Sequence, residues 1–346
     1  MIFRPKGTES RTDRRPAAPP RAAISRRGVI IGSAIGLPAS CLLLFLSLRH
    51  LEADALWTAV GSADPVRLAL AGAAMWLVYV MQAARWRVVA ASPAVPTRKF
   101  LEWVVGAIAV NNVVPGRPGE LFRTEWLARG AVVPRARALA SVVVDRGSDV
   151  LALVAALAVT YPAVHHPSWL HRLVLASAVA GVVLVTLLAG ACLVARRAGG
   201  SQTGRLRRLV AELVGGIGNA LRGFRALRVA LLSLAAWGAW ALGAWLVASS
   251  LHIALSPLEV IFVTAVLNLG VAIPSSPGFI GTFQWLSVSA LGLLGVGHTD
   301  AFAFSILMHA VWFVPTTLAG VALALRRLRP SVTAVIPLQS SESHAA

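Results

Sequence analysis

The sequence predicts an all-α polytopic membrane protein, with six spanning helices plus two re-entrant or broken hairpins, about eight hydrophobic segments forming an inverted repeat. Three observations predict it. Of 346 residues, 57% are hydrophobic and 13% charged, against about 45–50% and about 25% in average soluble domains. Apolar runs of the length that crosses a bilayer, about 18 residues or more, recur along the whole chain. Two shorter apolar stretches end in matching proline-glycine loops. This composition excludes an ordinary cytosolic enzyme, a disordered regulator and a disulfide-stapled module. A β-barrel would need short alternating segments, and the sequence has none.

Residues 1–27, rich in Arg, Pro and Ala, are predicted to be a disordered basic cytoplasmic tail. Ser25-Arg26-Arg27 resembles a twin-arginine export signal, but neither cargo nor a small-residue cleavage site follows it. The first span is Gly28 to Leu48. Val66 to Ala84, Ala138 to Val159, Leu173 to Ala195, Val229 to Leu251 and Ala301 to Leu325 follow. Phe100 to Val114 and Leu258 to Ile273 are too short for a crossing of about 20 residues. They are predicted to dip into the bilayer and return.

Charge fixes the orientation. With both short stretches re-entrant, the Lys and Arg of the tail, of 82–99 (Arg85 included), of 115–137, of 196–228 and after Leu325 all share one side. Only Arg49, Arg67 and Arg172 reach the other, and Arg146 lies within a span. Positive residues stay inside, so both termini are predicted to be cytoplasmic, in the prokaryotic cytoplasmic (inner) membrane. The repeats are residues 28–160 and 172–325, with 326–346 a second tail. Within 203–228, apolar residues at helical spacing alternate with Arg205, Arg208, Arg222 and Arg225. A basic amphipathic helix lying on the inner leaflet is one reading, and a helix packing its apolar stripe on the protein is the other.

The two loops carry the repeat. The first contains Asn111, Asn112, Pro115, Arg117, Pro118, Gly119 and Glu120; the second contains Asn268, Pro274, Ser275, Ser276, Pro277 and Gly278. Both read Asn, a short apolar bridge, then Pro-x-x-Pro-Gly. Three crossings in the first half reverse the orientation of the second, so its hairpin enters from outside. Inverted repeats with interrupted segments are a recurring architecture of transporters, with substrate held near the midplane. Prolines free backbone groups, which persist at that depth only where protein or a wet cavity satisfies them.

Ionisable residues inside a span are costly and need partners. Asp145, Arg146 and Asp149 sit three and four apart on neighbouring parts of one helix face. One reading is a mutually neutralising cluster near the cytoplasmic end. The other is an anion pocket in which Arg117, Arg123 and Arg146 take phosphate oxygens, balanced by Glu120, Asp145 and Asp149. Gln284 and His309 mark the outer half, where His309 is either titratable or a neutral core residue.

The net charge of +18 is read as topology, with no nucleic-acid partner, since no binding motif accompanies it. Cys41, Cys192 and the loop residues His165, His166 and His171 suggest neither disulfide nor metal site. The eleven tryptophans, Trp57, Trp103, Trp169 and Trp285 among them, are read as interfacial anchors.

At these motifs the chain resembles the flippase-like membrane domain family, named for the transmembrane half of bacterial lysylphosphatidylglycerol synthase. The match runs through Asn112-Val-Val-Pro-Gly-Arg-Pro-Gly-Glu120 with Arg123, Asp145-Arg146-x-x-Asp149, and Pro274-Ser-Ser-Pro-Gly278-x-x-Gly281. The resemblance implies translocation of lipids or lipid-linked headgroups, and it covers nearly all of 28–325. Gln284 and His309 depart from the family's usual acidic and basic residues, as if an ion pair had become a neutral hydrogen-bonded pair. The expected function is flippase-like transport of a phosphate-bearing lipid. The expected substrate-binding residues are Asn112, Arg117, Glu120, Arg123, Asp145, Arg146, Asp149, Asn268, Ser275, Ser276, Gln284 and His309. No cofactor, metal or catalytic residue is expected, and no nucleotide-binding loop is present. Anionic or zwitterionic membrane lipids and a separate lipid-modifying enzyme are the expected partners. The alternative is a membrane-embedded enzyme or an accessory scaffold for lipid or glycolipid modification.

Overall fold

The computed structural model describes residues 26–49, 51–115, 117–164, 167–197, 223–271 and 276–328. The tails before Arg26 and after Leu328, residues 203–222 of the amphipathic segment, His165, His166, Gly116, Pro274 and Ser275 lie outside them. Among the described residues, regular structure is wholly helical. The helices are α1 (Arg26–Leu48), α2 (Ala53–Gly61), α3 (Pro65–Ala90), α4 (Thr97–Val113), α5 (Gly119–Gly130), α6 (Arg135–Thr160), α7 (Ser168–Arg197), α8 (Phe224–Ser250), α9 (Pro257–Gly270), α10 (Thr282–Gly292) and α11 (His298–Leu328). Single 3-10 turns occupy Tyr161–Ala163 and Pro277–Phe279.

The sequence explains where these helices begin and how long they run. Asp64 accepts from the amides of Val66 and Arg67, and Pro65 opens α3. Ser256 and Glu259 cap α9 reciprocally. Helices α3, α8 and α11 are long and apolar enough to cross a membrane on length and composition alone. Helix α6 has 26 residues but carries Asp145, Arg146 and Asp149 midway. Helix α2 was not anticipated from the apolar runs. It buries Leu56 while leaving Trp57 71% exposed, an amphipathic pattern too short to register as a span.

Helices α3 and α8 form the central pair and run antiparallel. Arg85 donates to Ser233 near one end. Midway Met75 lies against Gly243, and at the other end the Asp64 amide donates to the Ser250 carbonyl at 3.1 Å. Around this pair the contacts exchange between halves. Helix α4 packs on α11 as α9 packs on α6, and α5 packs on α6 as α10 packs on α11. Other contacts break the pattern: α1 packs on α10 whereas α7 packs on α6, and α2 packs on α11 with no counterpart among the described residues.

Helices α4 and α5 form a hairpin. Trp103 faces Gly130 near its base, and the Gly119 amide donates to Asn111 Oδ1 at 2.7 Å near its tip. At a rise of about 1.5 Å per residue, the 12 residues of α5 span only about 18 Å. Helices α9 and α10 form a second hairpin, with Leu286 against Gly270. The start of α4 lies beside the end of α11, where Arg98, Glu102 and Arg326 line one groove. The ends of α3, α5 and α11 and the starts of α4, α6 and α8 therefore gather at one basic end of the bundle. The second hairpin rises from the opposite end.

Two readings of individual residues are corrected. Arg85, grouped by sequence with the basic segment after the second span, lies inside α3 with its side chain fully buried. The helix runs six residues past Ala84, and the buried guanidinium is ion-paired with Asp145 and Asp149. Trp103 is no interfacial anchor: it is 5% exposed and packs edge-on against Trp86 and Phe100 at the base of the first hairpin.

Candidate functional site

The site begins with charge that the fold cannot leave unpaired. Asp145 on α6 receives Arg85 Nε at 2.9 Å, Arg123 at 2.7 Å and Arg146 at 3.3 Å. Asp149, one turn later, receives Arg85 at 2.7 Å and Arg146 at 3.3 Å. Glu120 on α5 lies 3.2 Å from Arg123 and 3.7 Å from Arg146. Three arginines and three carboxylates from α3, α5 and α6 thus neutralise one another. Arg123 also lies over Trp86, its guanidinium carbon 4.0 Å from the ring centroid. Such a network contributes little net stability against a hydrophobic replacement, but losing one member strands a buried charge. It fixes the first hairpin to α3 and α6.

Arg117 stands apart from that balance. It occupies the tip of the first hairpin with φ +54, a left-handed conformation made harder by Pro118 following it. It donates to the Val271 carbonyl at 3.3 Å, and its guanidinium sits 5.3 Å from the Phe279 ring. Both contacts belong to the second hairpin, so the two tips meet here. Among the described residues no carboxylate lies within 4.0 Å of Arg117. The site carries one surplus positive charge, placed where the hairpins touch.

Next to the junction lies a cavity of about 420 Å³. Arg117, Glu120, Arg146 and Asp149 line its charged part, and Gln82 and Asn268 add amides. Tyr79, Trp237, Trp240, Phe279, Phe283 and Trp312 supply aromatic walls. A smaller space of about 90 Å³ adjoins it at the first tip, lined by Asn111, Asn112, Arg117 and Arg123 among others. A mostly apolar pocket with a few convergent polar groups is the usual form of a small-molecule site. Arginine's planar fork suits phosphate oxygens in it.

The second tip is clasped from two sides. Ser40 of α1 accepts from the Ser276 amide at 2.8 Å and pairs with Thr282 at 3.3 Å. Gly281, at φ +88, leaves no room for a Cβ beside the Ser40 carbonyl. Gln284 Oε1 accepts from the Gly281 amide at 2.7 Å, so its NH₂ is the group facing His309 Nδ1 at 3.1 Å. His309 also makes a backbone hydrogen bond with Gly278 and stacks on Trp312 at 4.9 Å. The histidine therefore ties loop, α10 and a cavity wall together as a neutral hydrogen-bonded group.

Residues 29–320 match the family described as the lysylphosphatidylglycerol synthase TM region. The chain belongs to that family. It is a multi-pass membrane protein. This lysylphosphatidylglycerol synthase TM-region protein is also similar to Glycosyltransferase AglD of Haloferax volcanii, at 26% identity over 361 residues, covering 91% of this chain and 57% of that protein. The chain thus spans little more than half the length of that relative.

Within this family member, the structure gathers some expected residues and separates others. Arg117, Glu120, Arg146, Asp149 and Asn268 share the cavity wall. Asp145 and Arg123 lie behind it, 0% and 1% exposed. Asn112 joins α4 to α11 by donating to Thr317 at 2.8 Å. Gln284, His309 and Ser276 hold the second tip rather than the wall, Pro118, Gly119, Pro277 and Gly278 shape the tips, and Pro115 precedes the first. Sequence reasoning missed Arg85, Gln82 and the aromatic wall. Arg85 falls three residues after Gln82 in a mostly apolar 26-residue helix, and that spacing of two polar residues on neighbouring parts of one face was the available signal. Trp237, Trp240 and Trp312 sit mid-helix, where an anchoring role fails.

Proposed function

We propose that this chain moves a phosphate-bearing lipid or lipid-linked headgroup between the leaflets of the cytoplasmic membrane. The headgroup passes through the cavity between the hairpins while its tails stay in the bilayer. The observation that carries this reading is Arg117, a cation without a carboxylate partner held at the meeting point of the two tips. Arg146, anchored by Glu120 and Asp149, offers a second guanidinium in the same wall.

The reading includes six spanning helices and two re-entrant hairpins related as an inverted repeat. Its supports are the antiparallel α3–α8 pair, the exchange of contacts between halves, and hairpins rising from opposite ends. The basic end, with Arg87, Arg98, Lys99, Arg129, Arg135 and Arg326, faces the cytoplasm in this arrangement. Membership of the lysylphosphatidylglycerol synthase TM-region family supports a lipid as substrate. Likeness to part of a glycosyltransferase favours a second reading, in which the chain is the membrane partner of a lipid- or glycolipid-modifying enzyme.

The test is reconstitution of the purified chain in liposomes with fluorescent anionic and zwitterionic phospholipids. Faster leaflet exchange than in protein-free vesicles, lost in Arg117→Gln, is expected. Exchange no faster than in protein-free vesicles for every lipid class would contradict transport.

A further inference from the structure

Besides ion-paired atoms of Arg146 and Asp149, the cavity wall carries two neutral polar groups without a hydrogen-bond partner among the described residues. Gln82 on α3 is 7% exposed, and its Oε1 has no hydrogen-bond partner among the described residues. Trp237 on α8 has a buried indole N–H that likewise has none. Both line the same cavity. The register of the central pair brings them to one level: Arg85 meets Ser233 and Met75 meets Gly243, so Gln82 falls beside Ala236 and Trp237. A buried polar group without a partner costs about 1–3 kcal/mol. An acceptor and a donor left so at one level of one cavity call for a ligand that supplies both complements.

The geometry points to a hydroxyl-rich headgroup, a sugar or polyol carried on the lipid phosphate, recognised by Gln82 and Trp237. A hydroxyl donates to Gln82 Oε1 and accepts from the Trp237 indole. A primary ammonium can donate but cannot accept, and a quaternary ammonium can do neither. The wall's two acids are already ion-paired, Glu120 with Arg123 and Arg146, and Asp149 with Arg85 and Arg146. Asn268 adds a further acceptor, because its Nδ2 donates to the Thr264 carbonyl at 2.8 Å and leaves Oδ1 over. The apolar faces of Tyr79, Trp240 and Trp312 complete an enclosure for a ring or a short polyol chain. The inference rests on the reading that the cavity takes a phosphate-bearing headgroup, and it names what the phosphate carries.

The test titrates the purified full chain with four water-soluble short-chain phospholipids: phosphatidylinositol, phosphatidylglycerol, phosphatidylethanolamine and phosphatidic acid. Tryptophan fluorescence reads binding, and glucose 1-phosphate and inorganic phosphate serve as tail-free probes. The inositol and glycerol lipids are expected to bind about tenfold more tightly than the other two, since a site built for a hydroxyl rejects analogues lacking it. Gln82→Leu and the conservative Trp237→Phe are each expected to shrink that ratio to within about twofold. If all four lipids bind alike and all depend on Arg117, the phosphate site stands and the hydroxyl inference is overturned. Tightest binding of phosphatidylethanolamine overturns it as well. Glucose 1-phosphate binding as tightly as the inositol lipid contradicts a lipid-borne headgroup. If nothing binds, the phosphate reading fails and this inference falls with it.

Discussion

Arg117 and Phe279 face each other across the hairpin junction, and both hold left-handed backbone conformations, φ +54 and φ +62. For non-glycine residues each such conformation costs about 1–3 kcal/mol and persists only where its surroundings impose it. Each residue contacts the opposite hairpin here, and the outcome is a guanidinium presented at the cavity. Arg117→Gln is expected to lower phosphate-lipid affinity by about tenfold or more, the loss of one charge-assisted contact. Arg117→Gly should lose the same affinity while melting close to the parent, because relief of the strained φ offsets the lost contacts to Val271 and Phe279. Fluorescence titration and thermal melting in detergent check both.

Asp145 is the hub through which α3, α5 and α6 are joined, receiving three guanidinium groups. Asp145→Asn leaves the buried Arg85 with Asp149 alone and Arg123 with Glu120 alone, one carboxylate short, and is expected to destabilise by about 3–5 kcal/mol. Arg85→Met should cost more than Arg146→Met, because the Arg85 side chain is 0% exposed and that of Arg146 is 35% exposed. The ranking of the three melting temperatures checks this. Equal melting of Asp145→Asn and the parent would contradict the hub.

At the basic end, the hydrogen bond from Arg135, with that from Arg129, holds the Glu125 carboxyl down to about 2. A carboxylate depressed in the folded state lends stability that is present above its ordinary value near 4.5 and is lost as pH falls towards 2. Both arginines are well exposed, so screening limits the effect to about 1 kcal/mol or less. Melting temperature is expected to fall over that window, and the fall should shrink in Glu125→Gln and at high salt.

Gly281 carries the clasp between α1 and the second hairpin. Gly281→Ala would force a Cβ onto the Ser40 carbonyl at a positive φ, and a loss of about 1–3 kcal/mol is expected. Because Ser40 holds the Ser276 amide, the variant should also raise proteolytic sensitivity around residues 276–281. Unchanged protection there would separate the clasp from the tip.

The sequence made the architecture legible where physics leaves long runs. Two stretches too short to cross, each ending in Pro-x-x-Pro-Gly, were enough to anticipate two interrupted helical segments, and Asp145, Arg146 and Asp149 were visible because charge is rare in an apolar helix. Arg123 was legible as a site residue but not as a buried one, since its partner Asp145 lies 22 residues away and Trp86 further still. Arg85 was hidden by its proximity to Arg87, which made both look like loop charges. The aromatic wall was hidden for another reason: tryptophan at a membrane surface and tryptophan in a cavity are the same letter, and only the α3–α8 register distinguishes them.

The measurement that bears most directly on the whole account is sidedness at the hairpin bases. In a background of Cys41→Ser and Cys192→Ser, single cysteines at Lys99, Arg129, Leu258 and Gly292 would be labelled with a membrane-impermeant thiol reagent in sealed vesicles of known orientation. Labelling of Lys99→Cys and Arg129→Cys from the cytoplasmic side alone, and of Leu258→Cys and Gly292→Cys from the outer side alone, is the expected result. If the two ends of either hairpin label from opposite sides, that segment crosses the bilayer, the tips do not meet as loops, and the cavity account is wrong.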